Sequence, residues 1–241
     1  MHEDFFVLHR DHDGGAHAGW LRRLAIVSMV LAVVVAVLIV GLQGTVAQDA
    51  RFEYGTTREY EGVLVGEPVP LLVTGDRTYF LVNPFKHGFK TDVASGSAIR
   101  LEATLIERGE QAMLEVVEGS ISVVEGASGA LPERVVLGPA VLRGEIVDSK
   151  CYLGVMNPGH LKPHRACAVN CLRGGIPPVL ISRMPDGDTR QTVLVSGDDH
   201  LLRDWILSYV AEPVEVRGEL ARVGALDVLT IQRHEVTRLS R

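Results

Sequence analysis

The sequence is poor in aromatic residues and cysteines, and it contains no block of basic residues. Phe, Trp and Tyr make up 5% of the 241 residues, and three cysteines are present. Three cysteines are too few to staple a disulfide-rich scaffold, and their odd number leaves one thiol unpaired if a bridge forms. The formal net charge is −6, which gives no electrostatic footprint for nucleic acid.

One long segment near the N-terminus lacks any charge. Residues 24–42, LAIVSMVLAVVVAVLIVGL, form an apolar run that would extend roughly 28 Å as a helix, enough to cross a bilayer. Arg22 and Arg23 precede the run, whereas the first charged residue after it is Asp49. By the positive-inside tendency, residues 1–23 form a cytoplasmic tail and the rest of the chain is exported.

A signal peptide is the alternative interpretation of this region. Thr45-Val46-Ala47 resembles a small-residue cleavage site. The apolar run is longer than the usual core of a signal peptide and its leader is long, so we favour an uncleaved, single-pass anchor in the cytoplasmic membrane. In either case the body of the protein is periplasmic or extracellular, where thiols meet oxidising conditions.

From Arg51 onward, short Val-, Leu- and Ile-rich runs alternate with Gly, Pro and Asp, which is typical of β-strands. Five runs of the first half match five of the second half in the same order, which indicates a degenerate internal repeat. The first-half runs are 60–65, 68–73, 78–82, 98–109 and 113–116, and their counterparts are 142–147, 176–181, 191–195, 213–224 and 228–231.

The number and order of these runs predict the fold class. Five strands with a helix after the third are the ground plan of the OB-fold, a small, partly open barrel. We therefore predict a mainly β protein with two tandem OB-like barrels, at residues 51–127 and 134–241. The second barrel should carry a helix that Asp198-Asp199 can cap, and its apolar face should consist of Leu201, Leu202, Trp205, Ile206, Tyr209 and Val210. In the first barrel, Phe85, Phe89 and Val93 should fill the core.

All three cysteines fall in a segment that the first barrel lacks. Gly62 and Pro68 are six positions apart, whereas their counterparts Gly144 and Pro177 are 33 apart. Residues 148–178 are thus predicted to be an insertion between the first two strands of the second barrel. That connection contributes to the usual ligand face of OB barrels, so we expect a site grafted onto a scaffold.

The insertion has the spacing of a ligand-bearing helix. His164, Cys167 and Cys171 stand at i, i+3 and i+7, so on a helix they share an arc of roughly 60°. Gly174-Gly175 provides a C-terminal stop. Cys151 would reach the stripe from outside the helix as a fourth donor.

A set of three cysteines and one histidine is suited to Zn²⁺, to an iron–sulfur centre, or to copper as Cu⁺ if fewer donors bind. His160 and Met156 are spare soft donors in the same segment. Two alternatives remain open. A structural disulfide from Cys151 to Cys167 or Cys171 would stabilise the fold by roughly 3 kcal/mol, and a thiol pair could be redox-active.

The sequence offers little for an enzyme, because no oxyanion loop or third orienting group accompanies the Cys/His pairs. The anchor and the soft ligands instead favour an accessory part of a membrane redox or metal-handling assembly. The competing interpretation is an interaction module that is stapled by a disulfide and holds no metal.

The cysteine segment, Val147-Asp-Ser-Lys-Cys151 through His164-x2-Cys167-Ala-x2-Cys171 to Gly175-Ile-Pro-Pro178, resembles a segment of uncharacterised bacterial exported proteins. In those proteins a strand ending in Asp-x2-Cys precedes His-x2-Cys-Ala-x2-Cys and a Gly-x-Pro strand start. The resemblance implies that the cluster occurs as a unit on exported proteins. It implies no activity.

Overall fold

The computed structural model describes residues 16–46, 50–75, 77–184, 187–198 and 202–239. Most of the predicted cytoplasmic tail, residues 1–15, therefore lies outside the described residues, as do the predicted cap residue Asp199 and Leu201 of the predicted apolar face. Residues 1–48 and 49–241 form two compact units. The fold is mainly β, with one long apolar helix ahead of it.

The N-terminal helix α1 spans Ala16–Val46 and extends beyond the charge-free run at both ends. Within it, Gly19–Leu42 has a mean hydropathy of 3.1 and is long and apolar enough to cross a membrane. Every residue from 19 to 42 is exposed on the surface of the helix. Exposed apolar surface of this extent is consistent with a single membrane anchor.

The first sheet has seven strands, of which five close into a ring. The order is β1-β5-β2-β3-β4-β6, and β6 also pairs with β5. The pairing of β4 with β6 is parallel and the other ring pairings are antiparallel. The strands are β1 (Ala50–Phe52), β2 (Arg58–Val65), β3 (Leu71–Val73), β4 (Thr78–Val82), β5 (Ser97–Arg108), β6 (Gln111–Val116) and β7 (Ser122–Ser128).

The second sheet repeats this pattern of pairing in six strands. Its order is β12-β10-β9-β8-β11-β13, and β12 also pairs with β11, which closes a second ring of five. The parallel pair is β10 with β12. The strands are β8 (Arg134–Asp148), β9 (Pro178–Arg183), β10 (Thr189–Ser196), β11 (Pro213–Val223), β12 (Leu226–Ile231) and β13 (Val236–Arg238). All ten predicted strand runs overlap strands of the rings, whereas β1, β7 and β13 were not predicted.

Two glycines explain how the first two strands of each ring come close together. A Cβ on Gly62 would lie 2.5 Å from the carbonyl oxygen of Val73, and a Cβ on Gly144 would lie 2.1 Å from that of Ile181. Only glycine permits so close an approach of two backbones. The two glycines occupy matching positions in the internal alignment, and so do the two residues that they approach.

The two rings share part of their hydrophobic core. One buried cluster joins first-ring residues such as Phe80 and Met113 to second-ring residues such as Val179 and Val228. Cys151, Tyr152, Leu153 and Cys171 belong to the same cluster. Two further clusters lie within the individual rings. The parts of the cysteine segment around Cys151 and Cys171 are therefore buried between the two rings.

The connection between β8 and β9 contains a π-helical turn, Cys151–Val155, and the helix α2, Leu161–Arg173. The first amide of α2, that of Leu161, donates to the Glu145 carboxylate of β8. At its end, Gly175 adopts φ +97, and the amides of Gly175 and Ile176 donate to the carbonyls of Leu172 and Cys171. These two bonds form a Schellman cap, so the predicted glycine stop is confirmed.

The segment after β10 differs from the helix predicted there. The structure has two 3₁₀ turns, Leu202–Asp204 and Ile206–Tyr209. A helix this short is marginal in water, and the chain must leave it promptly, because Val210 forms a bridge to Ile146 of β8. The predicted apolar face is nevertheless buried at Leu202, Trp205, Ile206 and Val210.

The prediction that Phe85 fills the first ring is wrong. Phe89 is buried and Val93 packs against the core of that ring, whereas Phe85 is 84% exposed. Phe85 adopts φ +61, and its carbonyl oxygen accepts a bond from Lys150 Nζ at 2.7 Å. This contact draws the backbone toward the second ring and leaves the side chain outside.

Candidate metal centre

The structure brings the predicted donors together where the two rings meet. Cys151 lies in the π-helical turn just after β8, and His164, Cys167 and Cys171 lie on α2. Cys151, His164 and Cys171 are buried, and Cys167 is partly exposed. The site is thus enclosed except on the Cys167 side.

Cys151 lies at the centre of the cluster. Its Sγ is 3.9 Å from Cys167 Sγ and 3.9 Å from Cys171 Sγ, and all three cysteines are free thiols. Donor atoms of Cys151, His164 and Cys167 lie within 4.8 Å of one another, as do those of Asp148, Cys151 and Cys171. The cluster can therefore hold a metal ion.

Asp148 is the buried carboxylate that orients the site. It is fully buried, and its Oδ2 lies 2.9 Å from His164 Nε2. Its Oδ1 accepts the amide hydrogen of Cys151 at 2.8 Å. A buried carboxylate needs such partners, and here they fix both the imidazole and the start of the π-helical turn. No local pattern in the sequence indicated the contact between Asp148 and His164, because the two residues are 16 positions apart.

The pKa values of the Cys151 and Cys171 thiols are shifted in opposite directions. The pKa of Cys151 is raised because its thiol donates to Cys171, because it is buried, and because Asp148 is close. The pKa of Cys171 is lowered because its sulfur accepts that hydrogen bond, and the nearby Lys86 ammonium acts in the same direction. Of these two sulfurs, that of Cys171 more readily becomes a thiolate.

A lysine from the first ring completes the surroundings. Lys86, in the connection between β4 and β5, places its Nζ 3.0 Å from Cys167 Sγ. The pKa of Lys86 is raised because of this hydrogen bond. No local pattern in the sequence indicated Lys86, because it precedes Cys167 by 81 residues.

The two spare donors named from the sequence lie to the side. His160 is the N-cap residue of α2, and its ring packs edge-on against Tyr152 at 6.1 Å between centroids. Burial and the Arg108 guanidinium lower the pKa of His160. Neither donor group found among the described residues contains His160, and Met156 is 43% exposed.

The fold and the site define a class: a mainly β protein with an N-terminal apolar helix and a cysteine–histidine cluster able to hold a metal. No protein-family model, curated protein or solved structure matches the chain.

Proposed function

We propose that the protein is a membrane-anchored, exported module that holds one thiophilic metal ion between Cys151, Cys167, Cys171 and His164. The two Sγ separations of 3.9 Å around Cys151 carry this proposal. Tetrahedral Zn²⁺ with Zn–S bonds of about 2.3 Å places its sulfur ligands about 3.8 Å apart. Both separations around Cys151 match this spacing.

The Asp148–His164 pair supports a metal-binding role for the imidazole. If Nε2 donates its proton to Asp148, the lone pair of the neutral ring stands on Nδ1. A ligating histidine whose other nitrogen is held by a carboxylate is a recurrent arrangement in metal sites, since it fixes the tautomer and raises ligand basicity. Zn²⁺ is the ion that this donor set fits best, and Cu⁺ bound by the thiolates is the runner-up.

The scaffold of this proposal is a pair of tandem OB-like barrels that arose by duplication. The matching order of strand pairings in the two rings supports it, as do the matching glycines Gly62 and Gly144. The cysteine segment lies between β8 and β9, the first two strands of the second ring. In OB barrels this connection helps to form the ligand face.

The proposed location is the cytoplasmic membrane, with the N-terminus inside and the two rings in the periplasm or outside the cell. The apolar span Gly19–Leu42 and the arginines before it support this orientation. The resemblance of the cysteine segment to segments of uncharacterised exported proteins agrees with it. A redox or metal-handling assembly in the membrane is the partner that an anchored soft-metal site would serve.

Elemental analysis of the full-length protein tests the proposal. The chain should be extracted with detergent from the membrane fraction, without strong chelators, and should contain one zinc or copper per chain. Cys151→Ser and His164→Ala should lose the metal, whereas the control His234→Ala, at an exposed histidine, should keep it. Intact mass then decides between an anchor and a cleaved signal sequence.

A thiol–disulfide role is the second candidate, because Cys151 is equally close to two other thiols. A metal-free protein whose thiol pair oxidises and reduces reversibly would replace the metal proposal with this one. A metal-free protein with a permanent disulfide and one free thiol would instead identify a structural staple.

A further inference from the structure

We infer that Lys86 is the counter-ion that lets all three cysteines bind the cation as thiolates, and that it thereby determines which cations the site holds. This inference rests on the proposed metal site. It assigns a specificity-determining role to a residue of the first ring, which contributes no ligand.

Lys86 contacts the most accessible of the three cysteines. Lys86 Nζ lies 3.0 Å from Cys167 Sγ, and Cys167 is the least buried of the three sulfur donors. The ammonium group therefore stands at the open side of the cluster. A hydrogen bond from a charged donor stabilises the thiolate more than the neutral thiol.

The segment that carries Lys86 is held in place by a second lysine. Lys150 is 2% exposed, and its Nζ donates to the carbonyl oxygens of Phe85 at 2.7 Å and Asn83 at 3.0 Å. The Glu115 carboxylate neutralises it. The backbone on the N-terminal side of Lys86 is therefore tied to a residue next to Cys151.

The other side of the segment is bound to the end of α2. The amide of Gly88 donates to the carbonyl of Gly174 at 2.9 Å, three residues after Cys171. Lys86 is thus fixed relative to both the π-helical turn and the helix that supply the thiols. Its long side chain has only to extend toward Cys167.

The contact of Lys86 with Cys167 affects cation binding through the formal charge of the bound complex. Three thiolates with a divalent cation carry one negative charge, which Lys86 offsets, whereas three thiolates with a monovalent cation carry two. The buried Asp148 carboxylate adds the same charge to both complexes. An unbalanced charge in a largely buried site is costly. Without Lys86 the divalent complex becomes singly anionic and the monovalent complex doubly anionic, so removal of Lys86 weakens Cu⁺ binding more than Zn²⁺ binding. A two-thiolate Zn²⁺ complex is neutral and would not need Lys86.

The test uses the full-length protein in detergent and measures Zn²⁺ and Cu⁺ affinity by competition with chelators. Lys86→Met should weaken Zn²⁺ binding by only about tenfold, because Lys86 is exposed and its charge is partly screened. The loss of affinity should be larger for Cu⁺. Lys86→Arg should restore most of the affinity. The matched control Lys90→Met, which removes an exposed positive charge four residues away, should leave both affinities unchanged.

A Co²⁺-substituted sample reports the ligands directly, since the sulfur-to-Co²⁺ charge-transfer absorption grows with the number of bound thiolates. It should weaken in Lys86→Met and return in Lys86→Arg. Equal Zn²⁺ affinity in the wild-type protein and in Lys86→Met would overturn this inference and leave the metal site standing. If Lys86→Met and Lys86→Arg both weakened Zn²⁺ and Cu⁺ binding to the same extent, Lys86 would have a packing role and would not act as a counter-ion. Wild-type protein that binds neither cation would remove the proposed function itself.

Discussion

Asp148 is the residue that links the strand framework to the chemistry of the site. It is the last residue of β8, and its two oxygens contact His164 Nε2 and the Cys151 amide. The same carboxylate therefore fixes a donor from α2 and the turn that carries Cys151. A substitution of Asp148 therefore changes how His164 and Cys151 are held without replacing either of them.

We expect Asp148→Asn to weaken metal binding about 10- to 100-fold, as is typical when the carboxylate partner of a ligating histidine is lost. The amide oxygen of the variant can still accept the Cys151 N–H, so the fold should persist. Metal affinity by chelator competition, with circular dichroism to confirm folding, measures the effect. Asp92→Asn, at an exposed aspartate, is the control. Unchanged affinity in Asp148→Asn would contradict the role given to the pair.

At the level of single residues, the sequence predicted which thiols and which imidazole lie close together better than it predicted their surroundings. Helical spacing placed His164 and Cys167 on one stripe, and the structure brings both close to Cys151. Cys171 instead groups with Cys151 and Asp148. Lys86 could not be predicted, because its contact with Cys167 depends on how two distant parts of the chain pack, and no local pattern encodes that.

Among the elements, the end of α2 couples the helix to the segment that carries Lys86. Gly174 and Gly175 lie against the backbone of Lys86 and Gly88 with almost no space between them. A Cβ on Gly174 would be 1.7 Å from the carbonyl oxygen of Lys86, whereas a Cβ on Gly175 would meet Gly88 at 3.5 Å, an ordinary contact. The two neighbouring glycines are therefore required for different reasons.

Alanine substitutions at these two glycines should have distinguishable effects. Gly175→Ala introduces a side chain at φ +97 and should lower the free energy of unfolding by roughly 1–2 kcal/mol. Gly174→Ala should displace the Lys86 segment and weaken metal binding as well. Denaturant unfolding and Zn²⁺ competition measure the two quantities. Loss of Zn²⁺ affinity in Gly175→Ala but not in Gly174→Ala would show that this contact is wrongly assigned.

At the level of elements, Val-, Leu- and Ile-rich runs separated by Gly, Pro and Asp predicted the ring strands, and glycine predicted the end of α2. The 3₁₀ turns after β10 and the outward position of Phe85 were not predicted. Both arise from long-range contacts, the bridge from Val210 to Ile146 and the bonds of Lys150 to the Asn83 and Phe85 carbonyls. Local propensity carries no information about such contacts.

The molecule as a whole is organised by the core that the two rings share. Residues 49–241 form one compact unit, and the largest buried cluster draws on both sheets and the cysteine segment. The predicted boundaries at 51–127 and 134–241 follow the predicted internal repeat. The shared cluster contains residues of both rings and stabilises them together.

We expect the segment Asp49–Arg241 to unfold in one cooperative transition, because neither ring can lose its structure without exposing the shared cluster. Residues 134–241 expressed alone should fail to fold stably, since their face of the cluster would be open to water. Thermal unfolding followed by calorimetry and by near-ultraviolet circular dichroism tests this. Two separate transitions, or a stably folded isolated second half, would contradict it.

The contact between the two halves also bears on how the protein can change over evolutionary time. The half without cysteines supplies the segment Asn83–Gly88, which touches Cys167 and the end of α2. A substitution in that segment would therefore favour a compensating change near residues 171–175. Sequence changes in the two rings should be coupled at this contact and independent elsewhere on their surfaces.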